Sequence, residues 1–390
     1  MLGFAMDQLR DTLDILDRLI SFPSVTGEGN LELAGFLANR LSECGAQVRM
    51  QLHPDGHQAN LFATIGPETD GGIVLSGHTD VVPALEDGWI SDPFEMRQEY
   101  GQAYGRGSCD MKGFIAAAVA MAPHFAELNL KRPLHFAFTY DEEVGCLGAR
   151  QLVNEMREWD FRPSVAIIGE PTMMRIIEGH KGCCEYTTRF AGLEGHASNP
   201  GAGVNAVEYG ARFISRLLQV GEELKARAPE TSRFEPPHTT VQAGTISGGS
   251  ARNVIAGQCE VEWEMRPVSS ADYKFAREKM RLYCEEVLLP AMREVSPDAD
   301  IMTEVIGEVD GLEPMSENEA RDIVAELTGA NGADLVAFGT EAGLFQSLGM
   351  SAVVCGPGSI EQAHKANEFV SLDQLQACLG MIEGLKRKLT

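Results

Sequence analysis

The chain has 390 residues, of which 44% are hydrophobic and 23% are charged, a composition typical of a soluble globular protein long enough for two domains. Its formal net charge of −25 argues against nucleic acid or an anionic membrane as a partner. No apolar run approaches the roughly 20 residues of a membrane span, and the N-terminal residues do not resemble a signal peptide, so we expect a cytoplasmic protein.

Helices and strands alternate through the N-terminal part of the chain. Apolar residues at helical spacing predict a helix over residues 5–21, and Asn30 is a candidate N-cap of a second helix. Short apolar runs and flanking turns predict strands over 47–52, 60–65, 73–77, 134–140 and 164–169, and helices from about 114 and over 145–156. Residues 81–101 contain several Pro and Gly residues and are predicted to be a long loop. The alternation indicates an α/β layered domain.

The pattern changes between residues 183 and 310. Strands are predicted over 184–190, 239–247, 257–266 and 299–309, with helices over 205–225 and 271–287. This order is typical of a small four-stranded α+β sandwich, one face of which is left for solvent or for pairing between subunits. The first pattern then returns. We therefore expect a discontinuous domain over 1–182 and 311–390, with a second domain inserted over 183–310.

Candidate metal ligands follow several of the predicted strands. His78 and Asp80 stand at the end of the third predicted strand, and residues two apart on an extended chain face the same way. The acidic run 141–143 and Glu170 follow two later strands. Each feature alone also fits a solvated turn. Together they fit a binding site, because ligands bind at the carboxyl ends of strands in such sheets and adjacent buried carboxylates need a cation.

Asp110 and His364 extend this set of nitrogen and oxygen donors. Asp110 precedes a predicted helix, where a carboxylate would also be favoured electrostatically without any metal. The nine cysteines are odd in number and contain no CxxC pattern, so we expect buried thiols rather than disulfides or thiolate ligands. His and carboxylate donors suit a pair of divalent ions that activates a water, while one acid of the Glu142–Glu143 pair stays available as a base.

Several motifs together carry a resemblance to a known family. They are Ser-Gly-His-Thr-Asp-Val-Val-Pro (76–83), Gly-Arg-Gly-Ser-Cys-Asp-Met-Lys-Gly (105–113), Asp-Glu-Glu-Val-Gly (141–145), Gly-Glu-Pro-Thr (169–172), Gly-His-Ala-Ser (195–198) and Gly-Pro-Gly-Ser…His (356–364). In these motifs and their order the chain resembles the co-catalytic zinc family of aminoacylases, carboxypeptidases and deacetylases. The resemblance implies an α/β fold: a zinc-peptidase-like catalytic domain with a mixed central sheet flanked by helices, and an inserted lid and dimerisation domain.

The resemblance also assigns a metal-binding role to individual residues. It implies two divalent metal ions, zinc first and cobalt as the alternative. His78 and Glu170 would hold one ion, and Glu143 and His364 would hold the other. Asp110 would bridge both, and the family has a cis peptide bond after this aspartate.

Further roles follow from the same resemblance. Asp80 would orient His78, and we expect it to contact only that histidine. Glu142 would be the general base. His196 would stabilise the tetrahedral oxyanion in a homodimer formed through the lid domain, although a turn histidine is the simpler interpretation from the residue alone.

Three residues are predicted to bind the substrate. Asn253 and Arg266 match positions that contact the substrate carboxylate, and a guanidinium grips a carboxylate with two hydrogen bonds. The alternatives are a loop cap for Asn253 and a surface salt bridge for Arg266. Glu341 is predicted to bind a distal ammonium of the substrate, or else to be only a first-turn acid of a helix.

Within the family, the motifs most resemble the acetylornithine deacetylases. The matching stretches are Gly-Ser-Cys-Asp-Met-Lys-Gly-Phe (107–114), His-Lys-Gly (180–182), Gly-Thr-Glu-Ala-Gly (339–343) and Gly-Pro-Gly-Ser-Ile-Glu-Gln-Ala-His (356–364). We therefore expect a metal-dependent amidohydrolase that converts N2-acetyl-L-ornithine to L-ornithine and acetate in arginine biosynthesis. The alternatives are a succinyl-diaminopimelate desuccinylase, another N-acyl amino acid hydrolase or dipeptidase, and, from another class, a non-catalytic binding protein on the same fold.

Overall fold

The computed structural model describes the backbone from Leu2 to Thr390 and the side chains from Met6 onward. The helices are α1 (Leu2–Ile20), α2 (Leu31–Glu43), α3 (Gly113–Ala126), α4 (Leu147–Met156), α5 (Ala206–Ala226), α6 (Ser270–Tyr283), α7 (Leu289–Arg293), α8 (Glu319–Thr328), α9 (Ala342–Gln346), α10 (Leu372–Gly384) and α11 (Lys386–Leu389). Within this described part of the chain, none of these helices is both long enough and apolar enough to cross a membrane.

The strands lie between these helices, singly or in short runs. They are β1 (Gln47–Leu52), β2 (Ala59–Ile65), β3 (Ile73–His78), β4 (Arg97–Glu99), β5 (Gln102–Tyr104), β6 (Leu134–Thr139), β7 (Val165–Pro171), β8 (Ile177–His180), β9 (Cys183–Ala191), β10 (Gly195–His196), β11 (Thr240–Gly248), β12 (Val254–Ile255), β13 (Gln258–Arg266), β14 (Asp300–Val309), β15 (Asp334–Val336), β16 (Ser351–Gly356) and β17 (Phe369–Ser371).

The chain divides into two compact units. The first consists of the residues up to Gly179 together with Pro314–Leu335 and Thr340–Thr390, and the second consists of His180–Glu313 and Val336–Gly339. The sequence expectation placed the inserted domain at 183–310. The short segment Val336–Gly339 was expected in the discontinuous domain, but it groups with the second unit.

The first unit is built on a mixed sheet with the strand order β1-β2-β6-β3-β7-β16-β8-β15. The four strands β6, β3, β7 and β16 run parallel, whereas β1 and β2 pair antiparallel at one edge. Every residue of β2, β3, β6 and β7 is buried, as expected of strands covered on both faces. The predicted α/β class with a mixed central sheet is confirmed. Because the four central strands share a direction, their carboxyl ends open at one edge of the sheet.

Helix α3 packs closely on this sheet. Its Ala-rich sequence is buried along almost its whole length, and Phe114 at its start lies against β7 at Gly169. A Cβ atom on Gly169 would lie 1.9 Å from Cγ of the Phe114 ring. A glycine is therefore needed immediately before Glu170, because any side chain there would push α3 away from the strand.

A small sheet occurs where the sequence predicted only loop. Residues 97–99 form β4, which pairs with β5, and β17 completes a three-stranded sheet in the order β17-β5-β4. The prediction of an irregular segment over 81–101 is wrong at its C-terminal end. Strands of three residues are too short to show an alternating pattern, and β4 is defined by its pairing with the neighbouring strand β5.

The second unit contains a four-stranded antiparallel sheet in the order β11-β13-β9-β14. Alternate residues of β9 and β13 are buried, and the rings of Tyr186 and Trp263 stack with centroids 4.4 Å apart. Phe213 of α5 packs edge-on against Trp263. The alternation that predicted this sheet therefore reflects one face packed against helices and an opposite face rich in Glu.

Candidate active site

The candidate ligands are brought together by the carboxyl ends of the parallel strands. His78 is the last residue of β3, Glu170 lies near the end of β7, and Glu143 follows β6. Asp110 lies in the tight turn that leads into α3, and His364 lies in the loop after β16. Residues distant in sequence thus meet at one edge of the sheet.

Two groups of donor atoms form there, and they share one residue. His78, Asp110 and Glu170 offer ligand atoms that lie within 4.8 Å of one another, and so do Asp110, Glu143 and His364. Nε2 of His78 lies 3.0 Å from Oδ1 of Asp110, while Nε2 of His364 lies 3.4 Å from Oδ2 of the same residue. Asp110 therefore presents one carboxylate oxygen to each group. The same residues make up the two ligand sets that the sequence resemblance implies, and their binding of metal stays a prediction.

The electrostatics of the two groups reflect crowded carboxylates. Burial alone would lower the pKa of His78, but Glu170 and Asp110 outweigh it and raise that pKa well above the ordinary value. Hydrogen bonds to Asp110 and Glu143 raise the pKa of His364 to about 10. Burial raises the pKa of Glu170, and the neighbouring Asp110 carboxylate adds to this effect. The site therefore favours bound positive charge.

The donor atoms fit divalent cations. Among the residues that the structure describes, Oε1 of Glu170 is buried and has no hydrogen-bond partner. Such an oxygen is costly unless a cation or water satisfies it. Nδ1 of His78 lies 3.0 Å from the backbone oxygen of Asp80, an arrangement that leaves Nε2 as the ligand atom. Imidazole nitrogens and carboxylate oxygens together suit zinc or cobalt.

Asp80 makes more contacts than we expected. Its Oδ1 accepts the backbone N–H of Glu142 at 3.1 Å, and its Oδ2 accepts the N–H of Glu143 at 3.3 Å and the hydroxyl of Thr26 at 3.0 Å. Its carboxylate also lies 3.5 Å from Nδ1 of His78. The expectation that Asp80 contacts only His78 is therefore wrong. Its two oxygens tie the turn after β6 to the histidine at the end of β3.

Glu142 lies beside the two groups and, among the described residues, belongs to neither. Burial raises its pKa to about 8, and the carboxylates of Glu143, Asp80 and Asp110 contribute in the same direction. The thiol of Cys146 donates a weak hydrogen bond to Oε1 of Glu142 at 3.5 Å. A carboxyl group with these properties can both accept and release a proton near neutral pH. Its role as the general base stays a prediction at this point.

Three of the predicted site residues lie in the second unit. His196 pairs with Val254 across the short strands β10 and β12, and the N–H of Ala197 donates to the backbone oxygen of Asn253 at 3.1 Å. His196 and Asn253 are thus neighbours, and both are exposed. Arg266 is half-buried and forms an ion pair with Glu264, with Nη2 and Oε2 2.8 Å apart. Their predicted roles stay predictions.

Glu341 occupies a different environment from the one expected of a substrate-binding residue. Its side chain is fully buried, and its two oxygens accept hydrogen bonds from Ser76 at 2.6 Å and Thr139 at 2.8 Å. Ser76 belongs to β3 and Thr139 to β6, so Glu341 links the two strands beneath the site. Both oxygens already have hydroxyl partners. A contact with a substrate ammonium stays a prediction.

Two further residues at the site were missed by the sequence reasoning. The carboxylate of Glu368 is buried and accepts hydrogen bonds from the backbone of the Asp110 turn, and the buried guanidinium of Arg106 pairs with it at 2.9 Å. The only sequence signal was an arginine inside a Gly-Arg-Gly stretch and a glutamate close to His364. Neither spacing indicated that the two side chains meet.

Comparison with known proteins identifies the family. The sequence profile of peptidase family M20/M25/M40 matches residues 74–387. The chain belongs to this family. Among its relatives, an acetylornithine deacetylase from Pasteurella multocida is 33% identical to this M20 chain over 375 residues, covering 94% of it and 95% of the relative.

Solved structures agree with this M20 fold. A tripeptidase from Staphylococcus aureus superposes with a TM-score of 0.71 at 20% identity, covering 97% of this chain and 98% of that one. A protein from Bacillus subtilis described as a dinuclear metal binding peptidase of the M20 family gives a TM-score of 0.63 at 16% identity, covering 99% and 100% of the two chains. At such identities the likeness establishes the fold.

We expect metal binding to release protons. The raised pKa values mean that His78 and His364 are protonated near pH 7 in the metal-free protein, whereas metal ligation needs neutral imidazole. Binding of zinc at pH 7 should therefore release roughly two protons or more per molecule, and the affinity should rise with pH because protons compete with the metal. Calorimetric titrations in buffers of different ionisation enthalpy measure the release.

A matched variant checks which groups release these protons. The His364→Asn variant lacks the imidazole that carries one of these protons. On binding zinc it should therefore release fewer protons than the unmodified chain under the same conditions. A heat of zinc binding that is independent of the buffer would contradict the account.

Proposed function

We propose that the protein hydrolyses the N-acyl amide of an amino acid and that its substrate is N2-acetyl-L-ornithine, which yields L-ornithine and acetate. One observation carries the hydrolytic part of this proposal: Asp110 belongs to both donor groups, and its charge helps to raise the pKa of the Glu142 carboxyl group. The substrate is supported by the relative from Pasteurella multocida, which is named an acetylornithine deacetylase and matches 94% of this chain.

The proposed cofactors are two divalent metal ions, zinc with cobalt as the alternative. His78 and Glu170 would hold one ion, Glu143 and His364 the other, and Asp110 both. When bound, such a pair lowers the pKa of a water molecule and polarises the acyl carbonyl. The dinuclear site named for the Bacillus subtilis protein of the same fold supports a pair rather than a single ion.

The chain's own proton carrier is Glu142. In the proposed mechanism its carboxylate accepts a proton from the attacking water and then delivers that proton to the nitrogen of the leaving amine. The C–N amide bond breaks and acetate takes the oxygen of the water. The second proton of the water also ends on the nitrogen, so that the amino acid leaves with an ammonium group. The hydrogen bond from the Glu142 N–H to Asp80 supports this role, because it fixes the turn that carries the base.

The second unit is proposed to act as the lid and dimerisation domain. His196 would donate a hydrogen bond to the oxyanion in the partner subunit's site, and Asn253 and Arg266 would bind the substrate carboxylate. The position of β14 supports a homodimer, because it is an edge strand of its sheet and exposes Met302 and Ile306. Exposed apolar side chains on an edge strand are typical of surfaces that pair with another chain.

Substitution of the proposed base tests the mechanism. Glu142→Gln keeps the size of the side chain but cannot accept a proton, so turnover should fall by roughly 10²–10⁴-fold. Metal content should not change, because Glu142 is proposed as a base and not as a ligand. Steady-state kinetics and elemental analysis of the same preparation measure both. Turnover close to that of the unmodified chain would contradict the assignment.

Mixing two inactive variants tests the proposed subunit arrangement. In a dimer of one Glu142→Gln chain and one His196→Ala chain, one of the two sites would have both Glu142 and the partner's His196. Random exchange of subunits should therefore restore about one quarter of the normal activity. Absence of recovery after exchange has been demonstrated by light scattering or mass spectrometry would contradict a role for His196 in the partner's site.

A substrate panel separates the proposed function from its alternatives. N2-acetyl-L-ornithine should be hydrolysed with the highest kcat/KM, ahead of N-succinyl-diaminopimelate and of a dipeptide, in assays with zinc or cobalt. Higher kcat/KM for the succinyl compound or the dipeptide would overturn the substrate. No hydrolysis of any of them by metal-loaded protein would favour the non-catalytic alternative.

A further inference from the structure

A buried carboxylate lies directly behind the turn that carries Asp110. We propose that Glu368 is a positioning residue for the metal centre: it holds this turn in place and thereby sets the affinity for both cations. The inference rests on the proposed function, because it concerns the same pair of cations, but it assigns a role to a residue that is neither a ligand nor the base.

The carboxylate of Glu368 accepts four hydrogen bonds. Its Oε1 accepts the backbone N–H of Cys109 at 2.9 Å and of Asp110 at 3.0 Å. Its Oε2 accepts the backbone N–H of Gly107 at 2.9 Å and Nη1 of Arg106 at 2.9 Å. The side chain is only 1% exposed, so these partners replace water. Hydrogen bonds to an ionised acceptor are stronger than those between neutral groups.

The turn needs such support because its own backbone is irregular. Gly107 has a φ of 79°, and Asp110 has φ −120° and ψ 93°, so the N–H groups of this segment do not follow the regular helical pattern. Three of these N–H groups converge on one side chain instead. The position of Asp110 is therefore set by Glu368 rather than by the helix that follows.

Displacement of this turn would affect both donor groups at once. Asp110 offers Oδ1 to the His78 group and Oδ2 to the His364 group. A shift of its backbone would change both distances, whereas a shift of Glu143 or Glu170 would change only one group. Residues that orient metal ligands typically contribute a factor of roughly 10–100 to metal affinity.

The partner of Glu368 extends the support to two further segments. The guanidinium of Arg106 is 1% exposed; it donates to the backbone oxygens of Pro83 at 3.3 Å and Lys365 at 3.5 Å, and it pairs with Glu86. Pro83 lies in the segment that follows β3, and Lys365 lies in the loop after β16. The Arg106–Glu368 pair thus connects three segments that lead to or from candidate ligands.

The test uses Co²⁺ binding, which reports on the site without turnover. Glu368→Gln keeps the shape of the side chain but turns one acceptor oxygen into a donor that faces other donors. We expect both Co²⁺ dissociation constants to rise by roughly 10–100-fold, with a changed visible absorption spectrum of the bound Co²⁺. Spectroscopic and calorimetric titration of the metal-free full chain measures these constants.

A second ion pair with a buried carboxylate, in the same unit, provides the control. Glu178 is 6% exposed and pairs with Nη1 of Arg321 at 3.0 Å, outside both donor groups. Glu178→Gln should lower the thermal stability of the metal-free protein but leave both Co²⁺ constants unchanged. This comparison separates positioning of the site from the general cost of removing a buried carboxylate from its ion pair.

The outcomes separate the inference from the function on which it rests. If the unmodified chain binds two Co²⁺ ions and Glu368→Gln binds them as tightly as Glu178→Gln does, the inference is overturned and the proposed function stands. If the unmodified chain binds no Co²⁺, the proposed function fails. Should Glu368→Gln not fold, Glu368→Asp decides, because it keeps the charge but is too short to reach all four donors. Unchanged Co²⁺ constants in that variant would equally overturn the inference.

Discussion

The candidate site depends on the sharing of one carboxylate between two histidines. Asp110 places Oδ1 beside His78 and Oδ2 beside His364, so that each oxygen belongs to a different donor group. Further acids crowd the same edge of the sheet, and burial makes their charge costly without cations. In the metal-free protein, the negative charge of these carboxylates raises the pKa values of the two histidines. A pair of divalent ions would neutralise it with the same donors.

The central sheet brings residues that are distant in the sequence to one of its edges. Parallel strands align the ends of β3, β6, β7 and β16, and Gly169 lets Phe114 of α3 approach β7 directly before Glu170. A second set of acids contacts the turns that carry the candidate ligands. Asp80 holds the turn of Glu142 and Glu143, while Glu368 holds the turn of Asp110. The ligands are thus positioned mainly through the backbone of their turns.

The sequence was informative where chemistry and local pattern coincide. His78, Glu143 and Glu170 follow apolar strands, and their motifs resemble a known family, so their convergence could be predicted. The environments of Asp80, Glu341 and Glu368 could not, because their partners lie far away in the sequence and follow no period. Glu341, for example, bonds Ser76 and Thr139 across two strands, which only the folded sheet brings together. The strand β4 escaped prediction for a different reason: with three residues it is too short to show an alternating pattern.

The proposed metal centre requires that Asp110 joins two metal positions at this edge of the sheet. Anomalous diffraction from crystals of the protein grown with zinc tests it most directly. We expect two anomalous peaks, one beside His78 and Glu170 and one beside Glu143 and His364, with an oxygen of Asp110 beside each. A single peak, or two peaks with Asp110 bound to neither, would contradict it.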